Sequence, residues 1–259
     1  MTSDPSIIFQ DEDILVVDKP PNLVVDPSST QKDGTLVDWL KSYNDRLVYH
    51  TKDAQLRYGV VHRLDKDTSG LLVVGKTQQS FDNLQTQFKE RKTEKEYLAL
   101  VHGRVEKGGV IEGGIGRNPL KREKFSVLED GKEAVTEYEP VQRLAFSVQR
   151  LVEIFPDFSK IQLKKLDARR YQNYTLLKCH PLTGRTHQIR VHLKYMGHPI
   201  VSDEKYVGRK MYRLDKRWCP RQFLHAKKLG FYHPKNGKWM EFESPLPKDL
   251  KSSLDYLHE

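Results

Sequence analysis

Two carboxylates in a short polar segment are the first candidates for chemistry. Asp65 and Asp67 lie in residues 62–69 with Arg63 and Lys66 beside them, and apolar runs flank the segment. A loop held between two buried strands is a rigid mount for a catalytic carboxylate. The same residues also fit an ordinary charged turn, in which aspartate accepts hydrogen bonds from backbone N–H groups. Spacing alone favours the ordinary turn.

A second candidate cluster lies in residues 182–193. A helix there would place His187 and Arg190 on one face, because they are three residues apart. His187 and His192 are five apart, which is a poor fit to one helical face, and the segment contains no carboxylate or cysteine. We therefore expect no metal site. Tyr97 alternates with apolar residues as in a strand, where a tyrosine is usually part of the core.

Apolar periodicity predicts the elements that must position these residues. Predicted strands are 14–19, 22–25, 70–77, 94–105, 174–180, 223–233 and 238–245, and predicted helices are 35–43, 78–91, 186–196 and 247–258. Residues 106–139 contain glycine pairs typical of turns and hairpins, and 142–172 reads as a partly helical surface excursion. Many strands without strict βαβ alternation predict a mixed α+β fold, with a mostly antiparallel central sheet flanked by helices and loops.

Composition limits the class of protein. The chain has 259 residues, of which 37% are hydrophobic, so a packed core is expected. No apolar run approaches the roughly 20 residues that span a bilayer. No secretory signal is visible at the start, and two cysteines are too few for a disulfide framework. We therefore expect a cytoplasmic protein that does not enter a membrane.

Charge is distributed unevenly. The formal net charge is +9, and residues 160–259 carry 22 Lys+Arg against 9 Asp+Glu. Such asymmetry fits a surface that faces a polyanion, and it fits a solvated basic face about equally well.

Four sequence blocks, in the same chain order, resemble RNA pseudouridine synthases of the RluA type. Residues 62–70 (HRLDKDTSG) match that family's HRLDxxTSG signature. The other blocks are a K-x-Y-x-A-x-V-x-G strand at 95–103, TGRTHQIRVHL at 183–193, and LHA…F…HP at 224–234. Residues 19–25 resemble the family's opening KPPGLVV, with Asn22 in place of the usual glycine. The resemblance extends over about residues 7–245.

This resemblance implies an isomerase that converts uridine in RNA to pseudouridine. The family's essential aspartate corresponds to Asp65, which would act at C1′, at the 2′ proton or at uracil C6. The family arginine corresponds to Arg190, and a nearby guanidinium lowers a carboxyl pKa by about 1–3. The family tyrosine, here Tyr97, would lie against the target base and accept the C5 proton.

The resemblance also implies that the target uridine is flipped out of its helix, at a cost of a few kcal/mol. Arg63 would occupy the space that the base leaves. We assign five further residues to RNA binding and base flipping: His62, Thr68, Arg185, His187 and Gln188. The basic stretch 160–221 would contact phosphates. We expect no cofactor or metal, a structured ribosomal or transfer RNA as partner, no obligate protein partner, and a monomer.

The resemblance further implies a single catalytic domain over 1–259, with two halves that meet at an active-site cleft. Many relatives begin with a small S4 RNA-binding domain, and we expect none here. Residues 142–172 are longer than the family usually has at this point, which indicates an insertion that either contacts RNA or fills a groove. Two other functions remain: a catalytically silent RNA-binding protein or chaperone on the same fold, and a metal-dependent hydrolase built on the histidines.

Overall fold

A computed structural model describes residues 4–27, 33–43, 57–168, 171 and 173–258. The chain forms two compact units: unit 1 comprises 1–96 and 225–245, and unit 2 comprises 97–224 and 246–259. The described part of the chain contains no helix with the length and apolar character needed to cross a membrane.

The strands and helices follow one another in a mixed order. The strands are β1 Ser6–Gln10, β2 Ile14–Lys19, β3 Ser69–Gly75, β4 Glu94–His102, β5 Gly109–Glu112, β6 Ile115–Arg117, β7 Phe125–Val127, β8 Val135–Ala145, β9 Asn173–Pro181, β10 Leu224–Tyr232 and β11 Trp239–Glu243. The helices are α1 Leu36–Tyr43, α2 Gln78–Lys89, α3 Val148–Ile154, α4 Lys160–Ala168, α5 Gln188–Tyr195, α6 Arg209–Asp215 and α7 Lys248–Leu254, with a 3₁₀ turn at Arg57–Gly59.

In unit 1, strands β2 and β3 are buried on both faces. Leu15 and Val17 of β2 point into one apolar cluster with α1, whereas Ile14 and Val16 point into a second cluster with α2 and β10. This double burial explains why ILVVDK is a continuous apolar run and not an alternating one. Helix α2 begins after Thr77, whose side chain accepts a hydrogen bond from the backbone N–H of Ser80.

Strand pairing in unit 1 joins segments that are distant in sequence. Strand β2 pairs antiparallel with β1 and with β3, and β11 pairs antiparallel with β10. Strand β3 pairs parallel with β10, where Ser69 lies opposite His225 and Gly70 lies opposite Ala226. This parallel contact brings two of the recognised sequence blocks together.

In unit 2, β9 is central and antiparallel to β4 on one side and to β8 on the other, and β5 extends the sheet from β8. Strands β6 and β7 form a separate hairpin. A buried carboxylate, Asp215, accepts hydrogen bonds from the Tyr171 hydroxyl at 3.0 Å and the Ser202 backbone N–H at 2.9 Å, and it contacts His102 Nε2 at 3.0 Å. These bonds fix the end of α6 in the core.

The α+β class and the mostly antiparallel pairing are confirmed. The predicted strand at 22–25 is wrong, because the backbone turns there. Asn22 adopts a left-handed φ of 64°, and the carbonyl groups of Val24 and Val25 accept hydrogen bonds from Leu36 and Val37 at the start of α1.

Residues 142–172 contain α3 and α4, as the partly helical prediction requires, but their first four residues complete β8. Strand β1 and helix α6 were absent from the prediction. The single-domain organisation and the insertion stay predictions.

Gly70 allows β3 and β10 to approach each other closely. A Cβ atom at Gly70 would lie 2.2 Å from the Ala226 carbonyl oxygen, and the φ of Gly70 is +120°. We expect Gly70→Ala to lower the free energy of unfolding by at least about 3 kcal/mol, through overpacking and backbone strain. Urea denaturation would measure this loss. Gly184→Ala is the control, because its Cβ would meet nothing within 4 Å; equal stability of the two variants would contradict the expectation.

Candidate active site

A buried ammonium group holds the loop that carries Asp65. Lys19 is fully buried, and its Nζ donates hydrogen bonds to the carbonyl oxygens of Pro20 and Leu23, each at 2.8 Å, and of Lys66 at 3.1 Å. The backbone N–H of Thr68 donates to the Asp65 carbonyl at 3.1 Å, which closes the turn. Asp65 itself is partly buried. The segment that carries Asp65 is therefore both a charged turn and a rigidly held loop, so the two alternatives drawn from the sequence describe the same structure.

His62 fixes the start of this loop. Its ring stacks on Phe88 with centroids 4.5 Å apart, and its Nε2 accepts a hydrogen bond from the backbone N–H of Val73 at 3.1 Å. Burial, together with the charge of Lys95, lowers the pKa of His62 to about 3. The imidazole is consequently neutral at physiological pH, with its proton on Nδ1. Burial also lowers the pKa of Lys95 to about 8.

The end of the loop is joined to β10. Thr68 and Ser69 are buried, and the Ser69 hydroxyl lies 3.0 Å from His225 Nδ1. His225 Nε2 lies 3.2 Å from the Ser244 carbonyl oxygen, so Nε2 carries the proton and Nδ1 accepts from Ser69. His225 of the LHA block therefore holds the end of the signature loop through its contact with Ser69.

Arg63 is an exposed residue of the signature segment. Its side chain is 53% exposed, and Nη1 lies 3.6 Å from Oδ2 of Asp26, whose side chain is 12% exposed. No charge pairing at this position was predicted from the sequence.

In unit 2, Arg190 lies on α5 and is buried. Its Nε and Nη2 donate to the two carboxylate oxygens of Asp203 at 2.7 and 2.9 Å, and its guanidinium carbon lies 5.1 Å from the centre of the Tyr206 ring. Asp203 also accepts backbone hydrogen bonds from Lys205 and Tyr206. The two bonds to one carboxylate orient the guanidinium.

Gln188 organises the turn before α5. Its side-chain oxygen accepts from the Thr183 hydroxyl at 2.7 Å and the Arg185 backbone N–H at 3.0 Å. Its side-chain nitrogen donates to the Val135 carbonyl and the Thr136 hydroxyl at 2.9 and 3.0 Å. Gln188 is buried, whereas the side chain of Arg185 is exposed and bonds the Glu133 carbonyl at 2.9 Å.

The two histidines of this block have different surroundings. His187 is partly buried, has a left-handed φ of 57°, and places Nδ1 2.8 Å from the Tyr206 hydroxyl. His192 is fully buried, with Nδ1 3.0 Å from the Thr136 hydroxyl and Nε2 3.3 Å from the Gly113 carbonyl. Burial lowers the pKa of His192, which holds it neutral.

Tyr97 occupies β4, opposite Cys179 of β9, and is partly buried against the core of unit 2.

Sequence reasoning missed Asp203 and Tyr206, which hold Arg190. No periodicity marks them. The usable signal is general: a buried arginine requires a carboxylate partner.

Among the residues that the structure describes, one group of side chains has ligand atoms close enough for a metal ion. Asp11, Asp13 and His233 place theirs within 4.8 Å of one another. His233 Nδ1 accepts backbone N–H groups of Lys235 and Asn236, so Nε2 carries the proton and donates to Asp11 at 2.9 Å. Because both ring nitrogens are used, these contacts support a structural turn and not a metal centre.

Comparison with known proteins gives one consistent result. Residues 13–195 match the family model described as RNA pseudouridylate synthase. An uncharacterized RNA pseudouridine synthase of Aquifex aeolicus is 41% identical over 98% of this chain and 73% of its own length. A ribosomal large subunit pseudouridine synthase D of Pseudomonas aeruginosa is 38% identical over 98% of this chain and 72% of its own length. The solved structure of human RNA pseudouridylate synthase domain containing 1 is 27% identical, with a TM-score of 0.66 over 93% of this chain and 83% of that one.

The Arg190–Asp203 pair has an exposed counterpart in the same unit, formed by Arg217 and Asp157. Asp203 is fully buried, whereas the Asp157 side chain is 58% exposed. We expect Asp203→Asn to lower the free energy of unfolding by about 3–5 kcal/mol, because it removes the carboxylate that pairs with a buried guanidinium. Asp157→Asn should have a much smaller effect, since solvent screens an exposed pair. Urea denaturation of both variants checks this; comparable losses would disprove it.

Proposed function

Because the chain belongs to the RNA pseudouridylate synthase family, isomerases that act on uridine in RNA, we propose that Asp65 is its catalytic carboxylate. Tyr97 and Arg190 complete the catalytic set. The observation that carries this proposal is the construction of the signature loop. Three separate segments fix it: the Lys19 ammonium, His62 on Phe88, and the Ser69–His225 contact. A loop held at both ends can present one carboxylate to a substrate with little reorganisation.

The chemistry divides among these groups. The carboxylate of Asp65 acts on the target nucleotide while the bond between uracil N1 and C1′ breaks and a bond between C5 and C1′ forms. Arg190 supplies positive charge in an orientation set by Asp203. Tyr97 lies against the base and, with its hydroxyl ionised, takes the proton that C5 loses, while N1 gains a proton, so that substrate and product have the same composition. The isomerisation is redox-neutral and adds no group, so the proposal requires no cofactor and no metal.

RNA binding uses the exposed members of the predicted set. Arg63 and Arg185 are exposed and His187 is partly buried, so these three can contact RNA directly. His62, Thr68 and Gln188 act on RNA through position, because their bonds with protein groups shape the two loops. Two relatives of different organisms are named for the large ribosomal subunit, which favours ribosomal RNA over transfer RNA as substrate.

Helix α6 is proposed as the main phosphate-binding element of the basic stretch 160–221. Arg209, Lys210 and Arg213 are exposed, and none pairs with a carboxylate within the described ranges. The helix is anchored through Asp215, so its cations are presented on a fixed base.

Residues 142–172 are proposed mainly as structural support. Leu151, Ile154 and Leu166 are buried in the core of unit 2, which favours the groove-filling alternative for the inner side of α3 and α4.

Both cysteines are free thiols, which supports a reducing cytoplasm. We propose that the protein acts there as a monomer without an obligate protein partner.

The catalytic role of Asp65 is tested by Asp65→Asn. We expect loss of tritium release from a pool of unmodified rRNA and tRNA transcripts that carry 5-tritiated uridine, because the amide can neither attack nor accept a proton as a carboxylate does. Circular dichroism and the Kd for RNA should stay near wild type. Asp67→Asn, two residues along the same loop, is the control and should keep its activity. Full activity of Asp65→Asn would refute the mechanism, and a wild-type protein that binds RNA without releasing tritium would indicate the silent binder.

Phosphate binding by α6 is tested with Lys210→Gln/Arg213→Gln. Each lost phosphate contact should reduce the slope of log Kd against log salt concentration by about 0.7–0.9. The matched control is Lys248→Gln/Lys251→Gln, which removes the same charge from exposed positions on α7. Filter binding at several salt concentrations measures both slopes. Identical slopes for the two double variants would show that α6 does not contact the backbone.

A further inference from the structure

Arg63 and Asp26 form a charge pair between an exposed and a buried partner. Nη1 of Arg63 lies 3.6 Å from Oδ2 of Asp26, and their side chains are 53% and 12% exposed. The separation is within ion-pair range but longer than a hydrogen bond. In the described part of the chain, Asp26 is the carboxylate that pairs with Arg63.

The loop that carries Asp26 is fixed from both sides. Lys19 Nζ bonds the Pro20 and Leu23 carbonyl groups, and the Val24 and Val25 carbonyl groups accept N–H bonds from the start of α1. Asp26 follows directly after these anchored residues, so the backbone from which its carboxylate extends is held in place.

The backbone that carries Arg63 is equally constrained. The residue before it, His62, is stacked on Phe88 and bonded to Val73, and the residue after it, Leu64, is 4% exposed. Lys19 also bonds the Lys66 carbonyl three residues later, so one ammonium ties both loops together. Arg63 thus has a rigid backbone and a long side chain that faces solvent.

We propose that Asp26 is a positioning residue for the base-flipping step: it holds the Arg63 guanidinium in the orientation from which it enters the space left by the target uridine. This inference rests on the proposed function, in which Arg63 fills that space. A free arginine side chain samples many rotamers, and ordering it has an entropic cost. A carboxylate at ion-pair distance, carried by an anchored backbone, reduces that cost before RNA arrives. Because the pair lacks a hydrogen bond, the guanidinium is oriented without being locked.

The pair should act after RNA binding, when the flipped state forms. Loss of Asp26 should therefore lower kcat more than it raises KM. A purely structural role would instead lower stability and would not depend on the residue at position 63.

A double-mutant cycle tests this, with tritium release from a 5-tritiated rRNA or tRNA transcript that the wild-type enzyme modifies. Asp26→Asn should reduce kcat about fivefold, which corresponds to about 1 kcal/mol, with KM within about twofold of wild type. Asp26→Glu keeps the charge and should restore most of the rate. In an Arg63→Gln background, Asp26→Asn should have no further effect. Glu12→Gln is the matched control, because it removes an exposed carboxylate that pairs with Lys235 at the same 3.6 Å.

The outcomes separate the two ideas. Wild-type kcat in Asp26→Asn, or an equal loss in the wild-type and Arg63→Gln backgrounds, overturns the positioning role. Thermal melting of each variant identifies a loss that comes from unfolding, and the Asp26→Glu variant keeps the test valid if Asp26→Asn is unstable. Asp65→Asn tests the proposed function separately, because it removes the catalytic carboxylate and leaves both Asp26 and Arg63 in place.

Discussion

The buried ammonium of Lys19 is the interaction on which the candidate site of unit 1 depends. Removing a charge from water costs several kcal/mol unless polar groups compensate it. Here three carbonyl oxygens do so, and they belong to two loops that are more than 40 residues apart. The compensation works only if both loops adopt one arrangement. The loop that carries Asp26 and the loop that carries Arg63 and Asp65 are thereby fixed together.

Unit 2 uses buried carboxylates in the corresponding way. Asp203 and Asp215 are both fully buried. Asp203 orients Arg190, while Asp215 anchors α6 through the Tyr171 hydroxyl and the Ser202 N–H. Each is a single charge whose partners come from separate segments, so each converts a flexible connection into a defined position. The cost of burying each carboxylate is offset by its hydrogen bonds and, for Asp203, by the paired guanidinium.

Histidines in this protein serve structure more than chemistry. His62, His192 and His225 each use a ring nitrogen to accept a hydrogen bond from a neighbouring N–H or hydroxyl group. Burial lowers the pKa of His62 and His192, so both stay neutral at physiological pH. These surroundings favour a structural role for the three histidines over the alternative of a metal-dependent hydrolase.

The sequence by itself determined the α+β class, most strands and helices, and the family, because apolar periodicity and motif spacing are local properties. It failed where a distant group decides the conformation. Val24 and Val25 look like a strand, but their carbonyl groups bond to α1. Helix α6 has only seven residues, and its place in the core depends on the buried Asp215 as well as on Met211 and Leu214. The partners of Arg190 and Arg63, Asp203 and Asp26, were likewise decided only by the tertiary structure, since charge pairing across long separations leaves no periodic signal.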